Sequence, residues 1–238
     1  MIIRRFAVVA VVLVAALGNV SAAQAVVGGR VADVDEFPFA LSLQRSGWAG
    51  WSHTCGAVLL KESTAVTAAP CVEGHPASLR IRYGSLIRDE GEIVAITSIE
   101  RHDDLALLTL ASPLPVAPVA LADVDPEPGT IAEVVGWGET TEGGDPADLL
   151  RVAEVPIVGC GAALCAGAEG VGACAGDHGG PLLLDGALIG VLLTHGCGRP
   201  DAPDLYARPR RNAVKATLRD SESLNVAFTA SPQREQGG

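Results

Sequence analysis

Gly176-Asp177-His178-Gly179-Gly180-Pro181 runs a glycine-rich turn into the apolar stretch Leu182–Leu184, and Thr67-Ala68-Ala69-Pro70-Cys71 is its counterpart nearer the amino terminus. Around them the chain is a series of short apolar runs broken by Gly, Pro, Asp and Asn: Phe39–Leu43, Ser78–Tyr83, Ile93–Ile99, Leu105–Leu110 and Ile131–Val135. Glu92–Ile99 alternates for part of its length, as a half-buried strand does. No helical period is sustained over several turns before the end. Many short strands with frequent turn signals predict an all-β barrel or sandwich. Pro113–Pro128 holds five prolines and is the expected connection between two halves. Pro209–Arg219 is a predicted C-terminal helix, with Pro in its first turn and Lys215 and Arg219 late. Residues 220–238 are polar, lack a core pattern and are expected to form a disordered tail.

Met1-Ile2-Ile3-Arg4-Arg5, an apolar run from Phe6 to Leu17 and the small-residue ending Ala23-Gln24-Ala25 have the pattern of a secretory signal peptide over residues 1–25. The run is too short for a comfortable membrane span. The 238-residue chain carries a formal net charge of −11, which argues against nucleic acid and anionic membranes as main partners. Six Cys in an exported chain point to three disulfides rather than a metal or redox site. Fifteen pairings of six Cys are possible, and counting alone does not choose among them.

Both opening motifs resemble those of trypsin-like and chymotrypsin-like serine proteases, Gly-Asp-Ser-Gly-Gly-Pro and Thr-Ala-Ala-His-Cys. The resemblance spans almost the whole chain after residue 25. Val26-Val27-Gly28-Gly29 resembles the mature N-terminus of that family. Phe37–Gln44 resembles its first strand, Cys55-Gly56-Ala57 the segment before the His loop, and Asp104–Leu108 the segment that supplies the triad Asp. Gly136-Trp137-Gly138 and Val155–Val158 resemble parts of the second barrel. The resemblance implies two six-stranded antiparallel β-barrels over residues 26–219, with the junction near 113–128, the cleft between them and a C-terminal helix. It also implies the pairings Cys55–Cys71, Cys160–Cys165 and Cys174–Cys197. The middle bridge encloses a loop shorter than the family's usual one.

Acyl transfer by this family needs a hydroxyl nucleophile, a base, an acid that orients the base, and N–H donors for the oxyanion. By resemblance Asp104 is the orienting acid, and the N–H groups of Gly176 and His178 are the oxyanion donors. Pro70 stands at the base position and has no titratable group. His178 stands at the nucleophile position and has no hydroxyl. Serine-protease turnover is therefore not expected. Ser52, His53, His75 and His102 are read as surface or strand residues. A metal site needs three or more converging ligands, and only His178 and Asp104 can be named, so no metal or cofactor is expected.

The specificity pocket also departs from the family. Gly172 replaces the Asp of trypsin, and Leu192-Leu193-Thr194 stands where Ser-Trp-Gly is usual. Thr194 is expected to narrow the pocket. Asp204 falls near its floor, where a buried carboxylate would want a cation or a hydrogen-bond donor. Asp177 matches the acid that receives the mature ammonium group, so cleavage after Ala25 predicts a Val26–Asp177 ion pair. With Pro70 unable to donate to Asp104, the His178 imidazole is expected to approach that carboxylate and to have its pKa raised. The sequence thus points to a secreted, extracellular, monomeric homologue without catalysis that binds a protein or peptide. The alternative is an active hydrolase with a non-standard site around His178.

Overall fold

The computed structural model describes residues 26–122 and 124–209. The expected signal peptide, the C-terminal helix after Pro209 and the tail lie outside the described residues.

Two closed barrels organise the described residues. The first is made by β2 (Ala40–Gly47), β3 (Gly50–Lys61), β4 (Thr64–Ala68), β5 (Leu79–Tyr83), β6 (Glu92–His102) and β7 (Leu105–Leu110). Every pairing in it is antiparallel, in the order β2-β3-β4-β7-β6-β5. Its interior is filled by Leu41, Leu43, Leu59, Ile81 and Leu108, all fully buried. Alternation along each strand supplies them, because a strand turns every second side chain to the same face.

The second barrel contains β8 (Ile131–Gly136), β9 (Arg151–Val158), β10 (Leu164–Ala166), β11 (Pro181–Leu184), β12 (Ala187–Thr194) and β13 (Asp204–Ala207). Pairing of β8 with β9 closes the ring, and the short β1 (Arg30–Val31) adds to the outside of β9. Leu164, Leu182, Leu192 and Tyr206 fill it. The segment from Leu110 to Ile131 joins the barrels and anchors itself through buried Leu114 and Val119.

The two barrels meet where the His178 turn docks. Gly56 N–H donates to His178 O at 2.7 Å, and Gly179 N–H donates to Leu192 O at 2.8 Å. A Cβ on Gly179 would stand 2.1 Å from Thr67 Oγ1, so only Gly fits this approach.

The disulfides join Cys55–Cys71, Cys160–Cys165 and Cys174–Cys197, the pairing that the resemblance implied. The short middle loop spans its Cα–Cα distance of 6.1 Å, within the range that a disulfide accepts.

Candidate active-site cleft

Pro70 lies in a 3₁₀ turn over Ala69–Val72, pinned by the Cys55–Cys71 bridge. Ala69 N–H donates to Asp104 O at 2.8 Å, which sets the base position beside the acid position. Pro70 and Asp104 are both exposed. Asp104 is open to solvent, and the desolvation cost that would draw the His178 ring to it as a donor is absent. A cavity of about 550 Å³ lies beside it, lined among others by Leu105, Leu107, Leu164 and Leu193.

His178 does not approach Asp104. Its ring packs edge-on against His195, with centroids 4.8 Å apart and planes at 66°. Burial and the neighbouring His195 lower its pKa from the ordinary value, the opposite of the expected rise. His195 was not singled out by its sequence, although it stands two residues before Cys197. Its Nδ1 lies 3.2 Å from Cys197 Sγ, so the ring sits between His178 and the Cys174–Cys197 bridge.

The turn expected to hold the oxyanion contains a left-handed residue. Gly176 has φ +96°, a left-handed conformation suited to glycine. Among the described residues neither Gly176 N–H nor His178 N–H donates to a backbone carbonyl, so both expected donors remain available.

Beneath the turn, Asp177 is 1% exposed. Its two oxygens accept from Gly138 N–H at 2.6 Å and Cys174 N–H at 2.9 Å. Gly136 and Gly138 make room for it: a Cβ on Gly136 would stand 2.0 Å from Oδ1. Burial pushes the Asp177 pKa up to about 7 despite these donors. Val26 is fully buried in the second core, and Val27 bridges to Gly172. Val26 also has φ +47°, which is unfavourable for a β-branched residue.

His53 braces the same turn. Its Nε2 lies 3.0 Å from Gly176 O, and because a carbonyl only accepts, Nε2 is the protonated nitrogen. Nδ1 then accepts from the Ser42 hydroxyl at 2.9 Å. Burial lowers the His53 pKa to about 4, consistent with a neutral ring. The register that opposes Gln44 to His53 brings Ser42 and His53 together. Ser52 and His102 are exposed, and His75 caps a short 3₁₀ turn, as expected for surface residues.

In the pocket segment Thr194 is exposed. A register shift lies between Leu192 and Thr194, and the next residue, His195, packs on His178. Leu192 is fully buried in the second core, and Leu193 packs against the first. Asp204 is 1% exposed and adjoins Gly172. Its oxygens accept from Gly196 N–H and Ala173 N–H, each at 2.7 Å, with the Tyr206 hydroxyl at 3.4 Å. Its donors are thus protein groups, and no cation is needed. Burial raises its pKa to about 6.

Two antiparallel barrels, a cleft at their junction and a glycine turn with free N–H donors define a serine-protease-like protein. The trypsin family model matches residues 26–214, and the chain belongs to the trypsin family. It is 35% identical to a trypsin of Saccharopolyspora erythraea over 77% of this chain and 92% of that protein. It is 34% identical to trypsin alpha of Drosophila melanogaster over 76% and 82%. Human heparin binding protein superposes with a TM-score of 0.70 at 28% identity, covering 81% of this chain and 96% of that one.

Proposed function

We propose that this chain is a secreted, catalytically silent trypsin homologue that binds a protein or peptide partner. The observation that carries this is the pair Pro70 and His178 at the base and nucleophile positions, with His178 facing His195 instead of Asp104. A triad without its nucleophile or base loses on the order of 10⁶ in turnover. What is left, roughly 10³–10⁴ over water, comes from the oxyanion hole and binding. Three disulfides and the apolar start ending in Ala-x-Ala support export. Among the described residues no helix is long and apolar enough to cross a membrane. The structural neighbour named for heparin supports a binding role for this fold. A net charge of −11 disfavours a polyanion such as heparin here.

The test is incubation of the purified protein with a fluorophosphonate probe and a broad peptide library. Silence together with specific capture of a secreted partner supports the proposal; labelling or cleavage contradicts it.

A second reading, an active hydrolase, draws on the Ser42–His53 hydrogen bond, a hydroxyl beside a base. Ser42 is 2% exposed and its ring partner braces the Gly176 carbonyl, so a peptide bond has no path to that hydroxyl. A probe adduct mapped to Ser42 or His178 would favour this second reading.

A further inference from the structure

The β2–β3 hairpin ends in Gly47-Trp48-Ala49-Gly50, and Trp48 is fully exposed at its tip. The whole chain has three Trp, and Trp137 is buried. Trp51, 39% exposed, follows on β3 opposite Ser46. Arg80 on β5 reaches across β2 and stacks on Trp51, its guanidinium carbon 4.4 Å from the ring centroid. The Arg80 Nε donates to Gln44 Oε1 at 2.8 Å, which fixes the stack from below. Arg82, two residues on, shares that face of β5 and stands opposite Ile93, 48% exposed on β6. The outer face of the first barrel thus carries two Trp, two Arg and an Ile across four neighbouring strands.

The charges of this face are unbalanced. Among the described residues Arg30, Arg88, Arg199 and Arg208 each have a carboxylate within ion-pair distance; Arg80 and Arg82 have none, and nor do Arg45 and Arg101, whose guanidinium groups donate to backbone carbonyls on another part of the barrel. Asp89, the near acid, is engaged by Arg88 and by Gln44. The Arg82 Nε is buried without a partner, and its Nη1 donates to Gly91 O at 3.1 Å. In a chain with 28 acidic residues against 17 basic ones, two adjacent guanidinium groups left without carboxylates are electrostatically unfavourable alone. They are complementary to carboxylates from outside. Exposed Trp and Arg are also the side chains that most often dominate binding energy.

We infer that the face formed by Trp48, Trp51, Arg80, Arg82 and Ile93 docks an acidic peptide segment of a partner protein. The carboxylates of that segment pair with Arg80 and Arg82, and an apolar side chain beside them packs on Trp48. A sulfated glycan is less well matched, because two cations in an acidic protein offer little to a polyanion. The inference deepens the binding role proposed above, and it places the contact away from the cleft.

The experiment selects a displayed library of random dodecapeptides against the full chain, then measures affinities of the synthesised winners. Enrichment of Asp or Glu beside Leu, Phe or Trp is expected, with a blue shift of indole emission on binding. Trp48→Ala and Arg80→Gln should each weaken binding about tenfold, while His178→Ala should not. Trp48→Ala changes a fully exposed side chain and should leave the melting temperature unaltered. Failure to select any peptide, winners without acidic enrichment, or equal affinity for Trp48→Ala would overturn the inference. Heparin fragments that bind this face better than the peptides would overturn it in favour of a glycan. Concentration-dependent self-association lost in Trp48→Ala would overturn it in favour of a second copy. Loss of a partner's binding in His178→Ala but not in Trp48→Ala would leave the binding role intact and move it to the cleft. Hydrolysis by the unaltered chain would defeat the silent-homologue proposal without touching this surface.

Discussion

The His178 ring meets His195 edge-on at 4.8 Å, where the family's mechanism would need a hydroxyl facing an imidazole. Burial and the second ring both oppose protonation of His178. Its folded pKa lies below the unfolded value, so the unfolded chain binds more protons as pH falls below about 6.5. The pair therefore supports the fold at neutral pH and loses that support on acidification. His195→Ala should raise the His178 pKa, read by NMR titration of the imidazole protons. An unchanged His178 titration would show that the rings do not interact.

Asp177 has the opposite sign. Its pKa of about 7 lies above the unfolded value, so its contribution is greatest at low pH and is lost as pH rises through 7. The ammonium group of a chain starting at Val26 would lower that pKa and remove the loss. A form with residues before Val26 retained should lose stability from pH 5 to 8 relative to a form starting at Val26. Thermal unfolding of both forms across that range checks this; parallel curves would exclude the Val26–Asp177 pair.

Asp204 is held by two backbone N–H groups in a dry site. Asp204→Asn turns an acceptor into a donor facing one of them. A loss of about 1–3 kcal/mol in urea unfolding is expected, because a buried donor is left unsatisfied. Tyr206→Phe removes only a long contact and should cost about 1 kcal/mol or less. A neutral Asp204→Asn would mean that water reaches the carboxylate.

Ser42→Ala should act on stability and on the Gly176 turn, since the hydroxyl orients His53 beneath it. A cost of about 1 kcal/mol is expected. Loss of a hydrolytic activity in this variant would instead assign Ser42 a catalytic part.

Both barrels were legible because alternation marks strands and the order of short motifs marks their assembly. The disulfides followed from the same resemblance, whereas the seat of Asp177 between Gly136 and Gly138 emerges only in the fold. What stayed hidden depends on where backbone irregularities aim side chains. A register shift lies between Leu192 and Thr194, His195 packs on His178 just after it, and periodicity alone cannot place a bulge. The exposure of Asp104 depends on how loops leave the barrel, so the expected contact with His178 failed. The Ser42–His53 bond rests on strand register, and the Asp204 donors come from two other segments.

The most direct measurement is the rate of activated-ester hydrolysis by the unaltered protein beside its Pro70→His/His178→Ser double variant, both starting at Val26. The account predicts for the unaltered chain and for either single variant at most the residual rate that an oxyanion hole and binding supply, and a far higher rate for the double variant, where a hydroxyl and a base again stand with Asp104. Hydrolysis by the unaltered chain that is abolished by His178→Ala would contradict it.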